Sequence, residues 1–179
     1  MLLVIDVGNT NTVLGIFDRD QLIRDWRIRT IRDTTADEFN VLAKALFADK
    51  EIRPSKIDRV VISSVVPPAV PILDRFCKKY LEVTPFWVYP EAVRNLMPIL
   101  YNNPAEVGAD RIVNGIAAYA KYKKSLIVID FGTATTFDAI SEKGEYLGGA
   151  IVPGMMISSE ALFQRASRLP RVEMFNPPD

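Results

Sequence analysis

Two short segments of this sequence carry the same chemical pattern. In Leu2-Leu3-Val4-Ile5-Asp6-Val7-Gly8-Asn9-Thr10-Asn11-Thr12 an apolar run delivers an aspartate, a glycine follows, and amide and hydroxyl side chains fill the turn. Leu126-Ile127-Val128-Ile129-Asp130-Phe131-Gly132-Thr133-Ala134-Thr135-Thr136 repeats it. A glycine at such a turn lets backbone N–H groups approach a phosphate, because no Cβ stands in the way. Thr10, Thr12, Thr133 and Thr135 add hydroxyl donors. Asp6 and Asp130 supply carboxylates suited to a hydrated Mg²⁺ or to a monovalent cation. One Asp-x-Gly-x-Thr turn is usually no more than a hairpin turn closed by the aspartate itself. Two at equivalent places favour a two-sided phosphate clamp. Neither is a Walker A loop, which ends in Gly-Lys-Ser/Thr, nor a Rossmann loop with three spaced glycines before a helix.

Gly108-Ala109-Asp110-Arg111 is the third candidate. In one reading Asp110 is a helix N-cap or first-turn acid that complements the dipole and pairs with Arg111. In the other, Asp110 aims at an acceptor hydroxyl while Arg111 and the helix N-terminus attract an anionic substrate group. An aspartate is a weak base for an alcohol, but in phosphoryl transfer it need only orient the hydroxyl and take the proton late. The residues alone leave both readings open. Tyr101, in the preceding loop, reads more simply as a partly buried surface aromatic, and Cys77, Trp26 and Trp87 as packing. Ser63 and Ser64 are explained by a strand end and helix entry, although they could face a cleft.

Composition narrows the chemistry further. The chain has 179 residues, 49% hydrophobic and 25% charged, with Lys+Arg 22 against Asp+Glu 22, no histidine and one cysteine. A chain of this size buries roughly 70% of its unfolded surface, enough for one domain or two small ones. The absence of histidine excludes His-based triads and bases, and a single cysteine excludes a disulfide framework. Acid–base work falls to Asp, Glu, Lys or Tyr. Zero net charge argues against bulk electrostatic binding of nucleic acid or anionic lipid. The apolar run from Met1 to Ile5 is too short for a signal peptide, and no run reaches the length of a membrane span. A soluble cytoplasmic protein without nucleic acid or membrane partners is expected.

The elements that must position these residues follow from periodicity. Leu2 to Val7 predicts a central strand, with Asn11 to Phe17 and Leu22 to Ile28 completing a meander. Thr35 caps a predicted helix carrying Phe39, Leu42, Ala43, Leu46 and Phe47 at helical spacing. Ile57 to Val65 predicts a buried strand closed by Pro67-Pro68. A helix with Val70, Leu73, Phe76, Cys77 and Tyr80 follows, then a short strand near Phe86 to Tyr89. The stretch from Pro90 to Gly108 reads as a loop. A helix from Asp110 presents Ile112, Val113, Ile116, Ala117 and Ala120. Strands at Leu126 to Asp130, Thr135 to Ser141 and Glu145 to Val152 precede a helix ending near Arg165. Asn176-Pro177-Pro178-Asp179 has no element to close on. The repeat implies two related βββ halves; nothing after the last helix matches the strand at Ile57 to Val65, so a fragment is expected.

Together, Asp6 to Thr12, Ile62-Ser63-Ser64-Val65-Val66-Pro67, Gly108 to Arg111, Asp130 to Thr136 and Gly148-Gly149-Ala150-Ile151-Val152-Pro153-Gly154 closely resemble type III pantothenate kinase. Each motif is weak alone, but the ordered set spans essentially the whole chain. The resemblance implies an α/β acetate/sugar kinase–Hsp70–actin fold, built from duplicated ribonuclease-H-like βββαβα units with the second incomplete. Domains are then expected at residues 1–117 and 118–179. It implies ATP-dependent phosphorylation of pantothenate to 4′-phosphopantothenate, the first step toward coenzyme A. On this resemblance Asp6, Val7, Gly8, Asn9, Thr10, Asn11, Thr12, Val13 and Thr133 bind ATP. Tyr101, Gly108, Ala109, Asp110 and Arg111 bind pantothenate, with Asp110 the proton acceptor. Asp130 holds K⁺ or NH₄⁺, and Asp6 is a candidate Mg²⁺ ligand. Family members are homodimers and run on beyond the point where this sequence stops, so an incomplete second half is expected to expose apolar faces. The alternatives are a non-catalytic ATP-binding regulator, as some relatives were described as Bvg accessory factors, and an actin-like assembly protein.

Overall fold

A computed structural model describes residues 1–166 together with 168, 170 and 171; Asn176 to Asp179 lie outside them. Strands β1 (Leu2–Val7), β2 (Asn11–Asp18) and β3 (Gln21–Arg29) form the predicted meander. After helix α1 (Ala36–Ala48) come β4 (Arg59–Ser64), α2 (Ala69–Phe76) and the short β5 (Phe86–Trp87). The sheet order is β3-β2-β1-β4-β5, with β1 antiparallel to β2 and parallel to β4, so β1 is central. Its alternate residues Leu3, Ile5 and Val7 are buried with Phe39, Ala43 and Phe47 of α1 and Leu73 and Phe76 of α2. Burying each such large side chain contributes about 1.5–3 kcal/mol. The register leaves Val4 and Asp6 on the opposite face of the sheet.

Local chemistry sets the boundaries. Thr35 and Glu38 form a reciprocal capping box, Thr35 N–H donating to Glu38 Oε2 at 2.7 Å and Glu38 N–H to Thr35 Oγ1 at 3.2 Å. Caps of this kind are worth about 1 kcal/mol. The predicted strand at Ile57 to Val65 is shorter because Pro54–Lys56 turns as a 3₁₀ helix with Ile57 closing it. Helix α2 continues through a π-helical turn, Cys77–Leu81, that ends at Glu82 in the left-handed region. The edge strand β3 exposes Arg24, Asp25, Arg27 and Arg29, charges that discourage edge pairing.

The stretch predicted as a loop is partly ordered. It contains α3 (Pro90–Val93) and a 3₁₀ turn at Pro104–Glu106, each started by a proline whose missing N–H is no loss there. Tyr146 N–H donates to the Pro98 carbonyl and Leu100 N–H to the Tyr146 carbonyl, both at 2.8 Å, which ties the segment to the second sheet. That sheet is an antiparallel meander of β6 (Leu126–Phe131), β7 (Ala134–Ile140) and β8 (Tyr146–Pro153), followed by α5 (Met155–Arg165).

Between the sheets runs α4 (Ala109–Tyr122), touching β4, β6 and β7. Its Ala109 and Ile112 share a second core with Met97, Ile140 and Tyr146. Gly115 permits the approach: a Cβ there would lie 3.0 Å from both Met97 Sδ and Ile140 Cδ1. Leu126 and Val128 pack against this core, while the alternate Ile127, Ile129 and Phe131 are exposed, as are Ile151 of β8 and Leu162 and Phe163 of α5.

Candidate active site

The two Asp-x-Gly turns, far apart in sequence, meet in space. Thr10 Oγ1 and Thr133 Oγ1 are hydrogen-bonded at 2.8 Å. Each turn is closed by its glycine, Gly8 N–H donating to the Asn11 carbonyl three residues on and Gly132 N–H to the Ala134 carbonyl two residues on, both at 2.9 Å, so the second turn is one residue shorter. Thr30 braces the first turn: its N–H donates to the Thr10 carbonyl and its hydroxyl to the Gly8 carbonyl. Gly154 N–H braces the second by donating to the Thr133 carbonyl at 3.0 Å. A Cβ on Gly154 would collide with the Gly132 and Thr133 carbonyls, so that contact requires a glycine.

The expected donors divide into two kinds. Asn9 and Thr10 are exposed at the first turn, and Gly132 and Thr133 at the second or beside it. Thr12 and Thr135 are buried, and the Thr12 hydroxyl is bonded to Thr30 at 2.9 Å. The Thr12 hydroxyl therefore braces the first turn, while burial withdraws the Thr135 side chain from solvent. Val7 is buried and Val13 half-buried, so at these positions only the backbone has polar groups.

Asp6 and Asp110 both have carboxyls raised above the ordinary aspartate range. For Asp6 the main cause is burial by the surrounding protein; Ser63, beside it across the parallel β1–β4 ladder, offsets part of the rise and Asp130 adds to it. Ser63 Oγ is buried with no close hydrogen-bond partner, so it acts on Asp6 as a nearby polar group rather than through a formed bond. For Asp110 burial again dominates, the Arg111 N–H opposes it, and the Asp6 and Asp130 carboxylates add to it. Asp130 thus acts on both raised carboxyls, and Asp6 on Asp110. The N-cap of α4 is Gly108, not Asp110; Asp110 sits in the first turn, its Oδ1 accepting from Arg111 N–H at 2.8 Å.

Arg111 does not pair with Asp110 as the simpler reading expected. Its Nε donates to Asp138 Oδ1 at 2.7 Å, and Asp138 is completely buried. Arg111, Tyr101, Glu106, Tyr146, Gly149 and Ile151 line a cavity of about 220 Å³. Three participants were not expected from the sequence. Asp138 and Tyr146 hold Arg111, and Asn114 Nδ2 donates to Asp130 Oδ2 at 3.1 Å. Asp138 has one signal: it alternates with Thr136 on one face of β7.

The cation sites are tested by their donors. Among the described residues no group of three acidic or Cys side chains could hold a metal alone. Mg²⁺ commonly uses one or two carboxylates with water and substrate phosphates, and Asp6 among like charges fits that use. Asp130, exposed and oriented by Asn114, fits an oxygen-coordinated monovalent ion.

Residues 2–179 match the family model for type III pantothenate kinase. The chain belongs to the type III pantothenate kinase family. Over 178 residues it is 72% identical to the type III pantothenate kinase of Desulforapulum autotrophicum, covering 99% of this chain and 68% of that protein. The corresponding family member of Desulfatibacillum aliphaticivorans is 67% identical over 178 residues, 69% of its length. Among solved structures, a protein described as a Baf family transcriptional activator from Campylobacter jejuni has TM-score 0.52 and 19% identity, covering 99% of this chain and 68% of that one. The Aquifex aeolicus Ppx/GppA phosphatase has TM-score 0.53 and 15% identity, covering 92% and 56% respectively. These likenesses show a shared fold, a mixed sheet with helices.

Proposed function

We propose that this protein transfers the γ-phosphoryl group of ATP to pantothenate, giving 4′-phosphopantothenate and ADP in the first step of coenzyme A synthesis. Family membership supplies the reaction. The observation that carries the local assignment is the 2.8 Å contact between Thr10 and Thr133, which brings two anion-binding turns to one point. In this reading the backbone from Asp6 to Val13 and the Thr133 turn hold the ATP phosphates. Tyr101 and Gly108 to Arg111 take pantothenate, Arg111 meeting its carboxylate.

Asp110 orients the pantothenate hydroxyl. Its oxygen attacks the γ-phosphorus as the bond to the β–γ bridging oxygen breaks, and the hydroxyl proton passes to the Asp110 carboxylate. A raised carboxyl suits that task, because proton transfer improves as the base approaches the operating pH. Asp6 would hold Mg²⁺ and Asp130 K⁺ or NH₄⁺; such cations neutralise phosphate charge when bound.

We assign residues 1–117 and 118–179 to two ribonuclease-H-like domains related by duplication, the second incomplete. The matching β1–β2–β3 and β6–β7–β8 meanders support this, with α4 continuous across the boundary. A homodimer acting in the cytoplasm without nucleic acid or membrane is proposed alongside. No described helix is long and apolar enough to cross a membrane. The regulator reading draws on the name of a distant structural relative, and the family match favours the enzyme.

Asp110→Asn tests the assignment. Turnover is expected to fall by about 10²–10⁴-fold, the usual worth of a positioned acid–base group, with ATP still bound. Unchanged turnover would remove Asp110 from the chemistry.

A further inference from the structure

Asp138 lies outside the phosphate clamp, yet it is among the most constrained side chains in the molecule. It is fully buried, and both carboxylate oxygens are committed. Oδ1 accepts from Arg111 Nε at 2.7 Å and from the Tyr146 hydroxyl at 2.6 Å; Oδ2 accepts from Thr136 Oγ1 at 3.3 Å. Arg111 is further confined by the Phe137 carbonyl at 3.4 Å from Nη2 and by the Tyr146 ring, 5.8 Å from its guanidinium carbon. Gly149 opposite has no room for a Cβ, which would collide with Arg111 Nη2 and the Phe137 carbonyl. A guanidinium has five N–H donors. With Nε and part of Nη2 engaged, the remaining donors are those available to a carboxylate in the cavity beside Tyr101.

We infer that Asp138, with Tyr146, is a positioning residue that fixes the Arg111 guanidinium for recognition of the substrate carboxylate. This rests on the pantothenate reading of the cavity. Charge alone argues the other way: removing a buried anion beside Arg111 strengthens its field and should improve anion binding. Geometry predicts a loss, because an unheld arginine spends its donors on nearby carbonyls and its bound orientation costs entropy. The two arguments give opposite signs, so the effect is decidable. Tyr146 belongs to the same device, its buried hydroxyl raised in pKa by burial and by donation to Asp138.

The test compares kcat/KM for pantothenate with that for its alcohol analogue, in which a hydroxymethyl group replaces the carboxylate. Asp138→Ala is expected to lower the pantothenate-to-alcohol ratio about tenfold, mainly through KM for pantothenate. Asp138→Asn keeps an acceptor for Arg111 Nε and Tyr146 and is expected to stay within about threefold of wild type. Tyr146→Phe, a milder change that serves if Asp138→Ala does not fold, is expected to lower the ratio about threefold. An unchanged or increased ratio in folded Asp138→Ala, or in Tyr146→Phe where Asp138→Ala does not fold, would overturn the inference, as would a parallel loss on both substrates, which marks a purely structural role. A wild-type protein that turns over neither compound would instead reject the pantothenate reading, and this inference with it.

Discussion

Gly154→Ala probes the clamp without touching a polar side chain. Gly154 has φ −64° and ψ 166°, a conformation alanine adopts freely, so backbone strain is not at issue. The added methyl would instead press on the carbonyl oxygens of Gly132 and Thr133, which are backbone atoms and cannot rotate away. Restoring ordinary contact of about 3.5 Å requires the turn to move by about an ångström. That carries Thr133 out of its 2.8 Å contact with Thr10. A displacement of that size in a positioning element costs about 10²-fold in rate. Overpacking costs about 1–3 kcal/mol of stability. Initial rates of ADP release at varied ATP should therefore show kcat/KM for ATP down about 100-fold, with KM for pantothenate within about threefold. A thermal melt confirms that the variant remains folded. Full activity in the folded variant would refute the clamp, and a loss confined to pantothenate KM would place the second turn on the wrong substrate.

The remaining predictions concern charge and packing. Asp110 has a folded-state carboxyl raised by burial, so its stability penalty sets in as pH rises through the unfolded value and is complete above the folded one. Asp110→Asn should accordingly stabilise the protein at neutral pH while lowering turnover about 10²–10⁴-fold, the gain in stability vanishing in acid; urea melts at both pH values check this. The same rise moves the acid limb of kcat/KM, which reports the free enzyme, to a midpoint above the ordinary aspartate value of about 3.9, read from a pH–rate profile. Phe47, fully buried and 5.7 Å from the Trp26 ring, should cost about 3–5 kcal/mol when replaced by alanine, measured by chemical denaturation. Cys77, buried and with its thiol pushed up to about 12, should resist a maleimide until the protein is unfolded; labelling of the native state would contradict its packing.

Legibility in the sequence follows the range of the interactions. Central β1 and helix α1 were readable because apolar periodicity and a capping box are local signals. The two Asp-x-Gly turns were readable because they repeat. The Pro90–Gly108 segment reads as loop and is largely irregular, but two of its prolines begin short helical turns, and it is tied down by bonds to Tyr146, many residues away. The π-helical end of α2 depends on how Cys77 and Leu81 seat in the core, which no local pattern records. At the site, Asp110 and Arg111 were visible as adjacent charges, but Arg111's partner Asp138 is 27 residues on and belongs to another element. That Thr12 and Thr135 turn inward also depends on tertiary packing.

The most direct measurement is ADP release by the protein with and without pantothenate, in K⁺ and then in Na⁺ buffer. The account predicts release that depends on pantothenate, requires Mg²⁺ and is much faster in K⁺. ATP hydrolysis indifferent to pantothenate, or no release under any of these conditions, would contradict it.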